Sequence, residues 1–237
     1  MRLPLSRTRA KLLHRAKEIA FDYGGFQQMV ELRDLHELED SMGFRGQFYP
    51  HRAFQFEILK REGLEPRCSF LELGCGPLTA GIPVIDYLDP GKYTGVDIRA
   101  SVLNMAWKEI GKAGLSAKNP RLIRSSSFAS DELGNSTFDF IYSFSVLYHL
   151  SNEILDFYFE TVGRRLAPSG KCIANVNTTI PSDKWLEFPF VKRSIDDYAS
   201  IAMKHRLKAT NAGPINSLGF AGGIEGDNPL LIFEPNA

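Results

Sequence analysis

The 237-residue sequence has no excess of charge of either sign: Lys+Arg and Asp+Glu number 28 each, so the formal net charge is zero. A bulk nucleic-acid binder carries a basic excess, and none exists here, so no nucleic-acid partner is expected. Long apolar runs are also missing, and no stretch reaches the ~18 residues of a membrane span. Cysteine is scarce. The three present, Cys68, Cys75 and Cys172, are odd in number and lack paired-thiol spacing, which excludes a disulfide framework and is expected of a reduced, cytoplasmic protein. The five histidines (His14, His36, His51, His149 and His205) form no ligand pattern, so no metal is expected. Internal repeats and low-complexity tracts are absent. What is present is 43% hydrophobic and 24% charged, a balance that suits one large globular domain, or a domain with an added terminal segment.

Charge is unbalanced only at the start. Arg2, Arg7, Arg9, Lys11, Arg15 and Lys17 all precede the first acid, Glu18. Leu12, Ala16, Ile19 and Ala20 share one helical face. No unbroken apolar core comes after the charges, which excludes a secretory signal. An organelle transit peptide and a basic amphipathic helix resting on an anionic membrane both fit this composition. The reading preferred on base rates is a solvated helix packed on the main domain. Residues 27–41 read as a second helix, with Met29, Leu32, Leu35 and Leu38 at steps of three. Residues 43–50 read as a loop, and residues 51–62 as a third helix ended by Gly63 and Pro66. Residues 1–66 are thus expected to be a helical extension without chemistry of its own, and residues 67–237 the main domain.

From residue 69 onward strands and helices alternate. Strands are expected at 69–73, 92–97, 120–124, 137–144 and 171–177. Helices are expected from Pro77 to residue 88, at 100–113, at 152–166 and at 194–205. Ile154, Leu155, Tyr158, Phe159, Val162 and Leu166 form the buried side of the third of these, and Pro168-Ser169-Gly170 a turn after it. This rhythm means βαβ units on a parallel sheet with right-handed crossovers. Two late strands, 207–211 and 230–233, have no helix between them, so an antiparallel hairpin is expected at the sheet edge.

Ligands of such sheets gather at the carboxyl ends of the strands, where strand order reverses. The first strand ends in Gly74-Cys75-Gly76, a turn whose missing side chains let a ligand approach the backbone. A helix starting at Pro77 would add unpaired N–H groups. Asp97 ends the second strand, roughly twenty residues on, where a carboxylate accepts from both hydroxyls of a ribose. A nicotinamide dinucleotide fits less well. Its fingerprint wants glycine where Thr79 stands, Pro77 removes an N–H, and Glu72 sets negative charge where a pyrophosphate would lie. Glu72 suits an ammonium or sulfonium ligand instead. Cys75 reads as a small filler, and Asp139 as a residue that orders a loop. His149, just past the fourth strand, is the candidate general base, because an imidazole titrates near neutral pH; Tyr148 is a second candidate. Tyr49, His51 and Arg52 come from the helical extension and are expected near the same mouth. Trp185, Phe188 and Phe190 either line an apolar acceptor pocket or pack an edge.

The blocks LELGCGP, YTGVD, FDFIYSFSVLYHL and RRLAPSGK resemble class I S-adenosylmethionine-dependent methyltransferases. The resemblance implies a seven-stranded, mostly parallel α/β sheet with an antiparallel edge hairpin, Rossmann-like, behind an N-terminal helical extension. It implies S-adenosylmethionine as cofactor. Glu72, Gly74, Cys75 and Gly76 would serve its methionine part, Asp97 the ribose and Ile98 the adenine. Ser126, after the third strand, would lie near the adenine amine, and Ser143 at the end of the fourth strand joins the cofactor-binding set. Arg52 is the candidate for the methionine carboxylate. A third glycine is frequent in that family's turn where this chain has Leu78. The activity implied is methyl transfer to a hydroxyl or amine of a small molecule: a sugar, lipid or natural-product precursor. Two other readings are a cofactor-binding partner protein without catalysis, and a nicotinamide dehydrogenase.

Overall fold

A computed structural model describes residues 36–40, 46–125, 128, 133–185, 188–220 and 227–236. Chain contacts divide the molecule into residues 1–48 and 49–237. Of the shorter part only residues 36–40, which are helical, and 46–48 are described. The basic stretch 1–18 and most of the helix expected at 27–41 therefore lie outside the described residues.

The longer part alternates as expected. Helix α1 (Phe48–Arg61) precedes β1 (Phe70–Leu73), α2 (Gly81–Tyr87), β2 (Tyr93–Asp97), α3 (Ala100–Lys112), β3 (Arg121–Arg124) and β4 (Phe138–Ser143). Then come α4 (Asn152–Arg165), β5 (Leu166–Asn175), β6 (Asp183–Trp185), β7 (Phe188–Phe190), α5 (Ile195–Lys204), β8 (Leu207–Pro214) and β9 (Pro229–Pro235). Seven strands form one sheet in the order β3-β2-β1-β4-β5-β9-β8, and β6 and β7 form a separate hairpin. Strands β1 to β5 are parallel, while β9 runs antiparallel to both β5 and β8. The chain enters at the centre, moves outward through β2 and β3, then returns to β4 on the other side of β1. That reversal puts the switch point between β1 and β4.

Every residue of β1 and β2 is buried, as central parallel strands require when helices cover both faces. On one face Phe70, Tyr93 and Tyr142 pack with Ile58, Val84 and Leu103 from the first three helices. On the other, Leu71, Leu73 and Ile141 pack with Leu155, Tyr158 and Phe159 of α4. Ser151 caps α4 by accepting from the Ile154 N–H at 3.3 Å, and Ser194 with Asp197 forms a capping box at α5. Asp139 orders the start of the sheet: its carboxylate accepts from the Ser69 N–H at 2.8 Å and the Ser69 hydroxyl at 2.7 Å.

Some expectations need correction. Ile154 is 40% exposed, at the first turn of α4, not on its buried side. The Pro168-Ser169-Gly170 turn is absorbed into β5, where pairing with β4 slips between Phe138 and Phe140. The late hairpin is longer than its apolar residues marked. Among the described residues no helix is long and apolar enough to cross a membrane.

Candidate functional site

The turn after β1 is built from left-handed backbone. Gly74 has φ +79° and Gly76 φ +52°. The N–H groups of Gly74 and Cys75 both donate to the Val96 carbonyl, at 2.8 and 2.9 Å. A Cβ on Gly74 would stand 2.4 Å from a methyl of Val146, whereas one on Gly76 would meet nothing within 4 Å. Gly74 is thus a close-packing glycine and Gly76 borders open space. Leu78 also lies in the left-handed region, at φ +65°. A non-glycine residue held there cannot continue a right-handed helix. This corrects the helix start expected at Pro77: residues 76–80 are turns and α2 begins at Gly81. The buried Leu78 side chain fits because Gly81 has none; a Cβ there would lie 2.5 Å from Leu78 Cδ2 and 2.6 Å from the Tyr93 hydroxyl. Arg52 on α1 ties this turn down, with Nε donating to the Thr79 carbonyl at 3.1 Å and Nη2 to the Leu78 carbonyl at 3.4 Å.

Asp97 closes the turn from β2. Its Oδ2 accepts from the Gly76 N–H at 2.9 Å and its Oδ1 from the Arg99 N–H at 2.8 Å. Arg99 Nε also stands 3.6 Å from Oδ1, and a carboxyl group's second lone pair on Oδ2 is left for a hydroxyl. Ile98 beside it is 45% exposed. Ser126 lies outside the described residues. Glu72 sits beneath the turn, 4% exposed, and the Tyr93 hydroxyl donates to it. Burial is the main reason its pKa is pushed up to about 8; Tyr93 opposes the shift and the nearby Asp97 charge adds to it. Cys75 tucks over β2, where a Cβ on Gly95 would come within 3.0 Å of its sulfur. Burial and the neighbouring acids Glu72 and Asp97 hold its thiol well above the ordinary range, so it is neutral filler.

The second half of the mouth comes after β4. The Ser143 side chain points into the sheet and away from the mouth. It is fully buried, with its hydroxyl donating to the Leu73 carbonyl at 2.9 Å and accepting from Tyr158 at 3.0 Å. Its side chain therefore ties β1 to β4 and α4. Beyond it Ser145 is left-handed at φ +58°, and its N–H donates to the Asn175 amide oxygen at 2.6 Å. Val146 then packs on Gly74, and residues 147–149 form one turn of 3₁₀ helix.

His149 Nδ1 stands 2.9 Å from the Pro189 carbonyl. A carbonyl only accepts, so Nδ1 carries the proton and the lone pair is on Nε2. Burial is the first reason its pKa lies below the usual value; the Pro189 contact opposes this and the Arg99 charge adds to it. The imidazole is neutral at pH 7. Alternate residues of the segment after β6 grip the same turn. The Val191 N–H donates to the Tyr148 carbonyl at 2.7 Å, and Arg193 Nη2 donates to the Leu150 carbonyl at 2.7 Å. Phe190 packs 4.8 Å from Tyr148 and 5.5 Å from His149, ring centre to ring centre. Phe188 and Phe190 thus stand against the candidate base. Tyr148 is buried beneath it. His51 is buried between Phe144 and Phe220, where desolvation takes its pKa down to about 4. Tyr49 is 61% exposed.

The turn, Asp97 and the His149 loop all meet at the carboxyl ends of β1, β2 and β4. A separate cavity of about 600 Å³ opens at the amino ends of the same strands, beside Lys92, Trp107 and Arg121, and shares no residue with this mouth. Sequence reasoning missed Tyr93 as the partner of Glu72, Asn175, and the grip of residues 189–193. The signal for Asn175 was available: Asn175 and Asn177 interrupt the apolar run at the carboxyl end of β5.

A family model described as a methyltransferase domain matches residues 71–172. Among solved structures, the chain is similar to an S-adenosylmethionine-dependent methyltransferase from Clostridium acetobutylicum ATCC 824, with a TM-score of 0.65 at 13% identity, over 88% of this chain and 100% of that one. It is similar to the magnesium protoporphyrin IX methyltransferase of Synechocystis PCC 6803 with bound cofactor, with a TM-score of 0.62 at 13% identity, over 92% and 96% of the two chains. The glycopeptide N-methyltransferase MtfA, complexed with sinefungin, matches with a TM-score of 0.60 at 14% identity, over 78% and 94%. At these identities the structures establish a shared fold.

Proposed function

We propose that this chain, whose residues 71–172 match a methyltransferase domain, is a class I S-adenosylmethionine-dependent methyltransferase whose acceptor is a hydroxyl or amine of a small molecule, such as a sugar, lipid or natural-product precursor. S-adenosylmethionine, when bound, supplies a methyl group carried on a positively charged sulfur. The residues present fit such a group. Glu72 is a buried acid with no cation among the causes that set its pKa, which lies at about 8, so a ligand bearing ammonium or sulfonium charge would expel its proton and pair with the carboxylate. Asp97 retains a lone pair for a ribose hydroxyl, Gly76 borders open space, and the exposed Ile98 offers an apolar platform for a purine.

The observation that carries the reading is His149. Its Nδ1 is fixed on Pro189, and the loop it belongs to packs through Val146 on Gly74. A neutral imidazole with its lone pair on Nε2 takes a proton from a hydroxyl or protonated amine as the acceptor is methylated. The rest of the mouth orients the acceptor and excludes water. The zero net charge favours a small acceptor over a polyanion. One of the similar structures is named as a glycopeptide N-methyltransferase, whose methyl group goes to a nitrogen.

The test is S-adenosylhomocysteine release measured over a panel of alcohols, sugars and amines with the parent chain and with His149→Ala. The variant is expected to turn over about 10²–10⁴-fold more slowly, the usual contribution of a general base, with unchanged cofactor affinity. A variant at full rate removes His149 from the chemistry.

A further inference from the structure

Three consecutive residues of the turn after β4 are each held by an alternate residue of one segment. His149 Nδ1 donates to the Pro189 carbonyl at 2.9 Å, the Val191 N–H donates to the Tyr148 carbonyl at 2.7 Å, and Arg193 Nη2 donates to the Leu150 carbonyl at 2.7 Å. The segment is tied in turn to the end of β5. There the Arg193 N–H donates to the Asn177 carbonyl at 3.0 Å, and the Asn177 amide nitrogen donates to the Val191 carbonyl at 3.3 Å. Phe188 and Phe190 flank Pro189 and pack on the His149 imidazole.

Pro189 and Val191 act through backbone atoms, so Arg193 is the side chain on which the hold depends. It is buried, and its Nη2 reaches a second oxygen, Asn152 Oδ1, at 2.9 Å while Nε reaches the same oxygen at 3.1 Å. Asn152 opens α4, so the guanidinium joins the His149 turn to the start of the next helix. Its central carbon lies 5.8 Å from the ring centre of Tyr198, which is fully buried on α5. No carboxylate forms an ion pair with Arg193 among the described residues. Asp197, which feels its charge, is at the surface and is spent on Ser194. Burying an arginine without a carboxylate costs stability, and an apolar side chain of similar length would fill the space without that cost. What the guanidinium supplies is a rigid planar fork that reaches two oxygens at once.

We propose that Arg193 is a positioning residue that keeps the proton of His149 on Nδ1. Without the fork the turn draws away from residues 189–193, and the Pro189 carbonyl loses the imidazole. The tautomer is set by that hydrogen bond, so its loss lets the proton move to Nε2. The ring then presents a donor to the mouth where the methyl acceptor needs a lone pair. The consequence for turnover rests on the reading of His149 as general base; the tautomer itself rests on geometry alone.

The experiment reads the imidazole nitrogens by NMR in the full chain labelled with ¹⁵N-histidine, where protonated and bare nitrogens resonate far apart. The signals missing from His149→Ala are its own. The parent is expected to show one tautomer, protonated on Nδ1. Arg193→Met keeps the bulk and deletes the fork, and is expected to populate the Nε2-protonated form. With an acceptor from the panel, it is expected to release S-adenosylhomocysteine about ten- to hundredfold more slowly, as a misplaced reacting group does, while binding it within about twofold of the parent. Arg193→Lys, a point charge without the fork, is expected to fall between the two. Asn152→Ala removes two of the three side-chain bonds of Arg193 by changing an exposed residue, and is expected to shift the tautomer the same way; it carries the test if Arg193→Met does not fold. A parent with mixed tautomers, or folded variants that all keep the proton on Nδ1, overturns the positioning role. Tautomers that follow the variants while His149→Ala turns over at full rate uphold it and overturn the base reading instead.

Discussion

A carboxyl group buried under a glycine turn is an ionisable group waiting for a cation, and Glu72 in that position makes stability and binding depend on pH. In the unfolded chain it titrates near 4.5 and in the folded chain at about 8. Between those values the native state holds a proton that the unfolded state has released, so this residue lowers stability as pH rises through the window. Its effect is absent below the lower value and levels off above the upper one. A cationic ligand favours the carboxylate, so binding expels the proton. Calorimetry of S-adenosylmethionine binding at pH 7, in two buffers of different ionisation enthalpy, is expected to show about one proton released by the parent and none by Glu72→Gln. Equal proton release from both proteins contradicts this role. His149 moves the other way. Its lowered pKa keeps the imidazole neutral and able to accept a proton at pH 7.

At the scale of elements, the turn between β1 and α2 carries a matched pair of residues. Leu78 is held at φ +65°, a conformation that favours glycine, with its side chain fully buried. Gly81 supplies the missing room three residues later. Gly81→Ala is therefore expected to cost about 1–3 kcal/mol by overpacking, read as a lowered Tm. Gly111→Ala, in α3 with nothing within 4 Å of the added carbon, is expected to raise Tm slightly; equal effects from the two would refute the pairing. The same turn shows where the sequence was legible and where it was not. The apolar runs of β1, β2 and β4, the glycines and Asp97 could be read locally, because strand burial and turn chemistry are local properties. The late start of α2 could not, because it depends on one leucine adopting a glycine conformation. The grip of Pro189, Val191 and Arg193 on residues 148–150 joins segments some forty residues apart in the chain. Ser143, which ends β4, is fully buried. Its hydroxyl went inward because Tyr158 and the Leu73 carbonyl were there to pair with it.

Across the whole molecule, topology gathers the site. Reversal of strand order between β1 and β4 brings Gly74–Gly76, Asp97 and the His149 loop to one end of the sheet, although they are spread over some seventy residues of chain. The fold is shared with methyltransferases at 13–14% identity. The β6–β7 hairpin reaches the same end of the sheet, where Phe188 and Phe190 stand against His149. The central claim is that the turn and Asp97 together bind S-adenosylmethionine, and titration calorimetry with S-adenosylhomocysteine tests it most directly. The parent chain is expected to bind at one site, and Asp97→Ala to bind about 1.5–3 kcal/mol more weakly, roughly ten- to hundredfold, as loss of charged hydrogen bonds requires. A parent chain that does not bind, or a variant that binds as tightly as the parent, would contradict it.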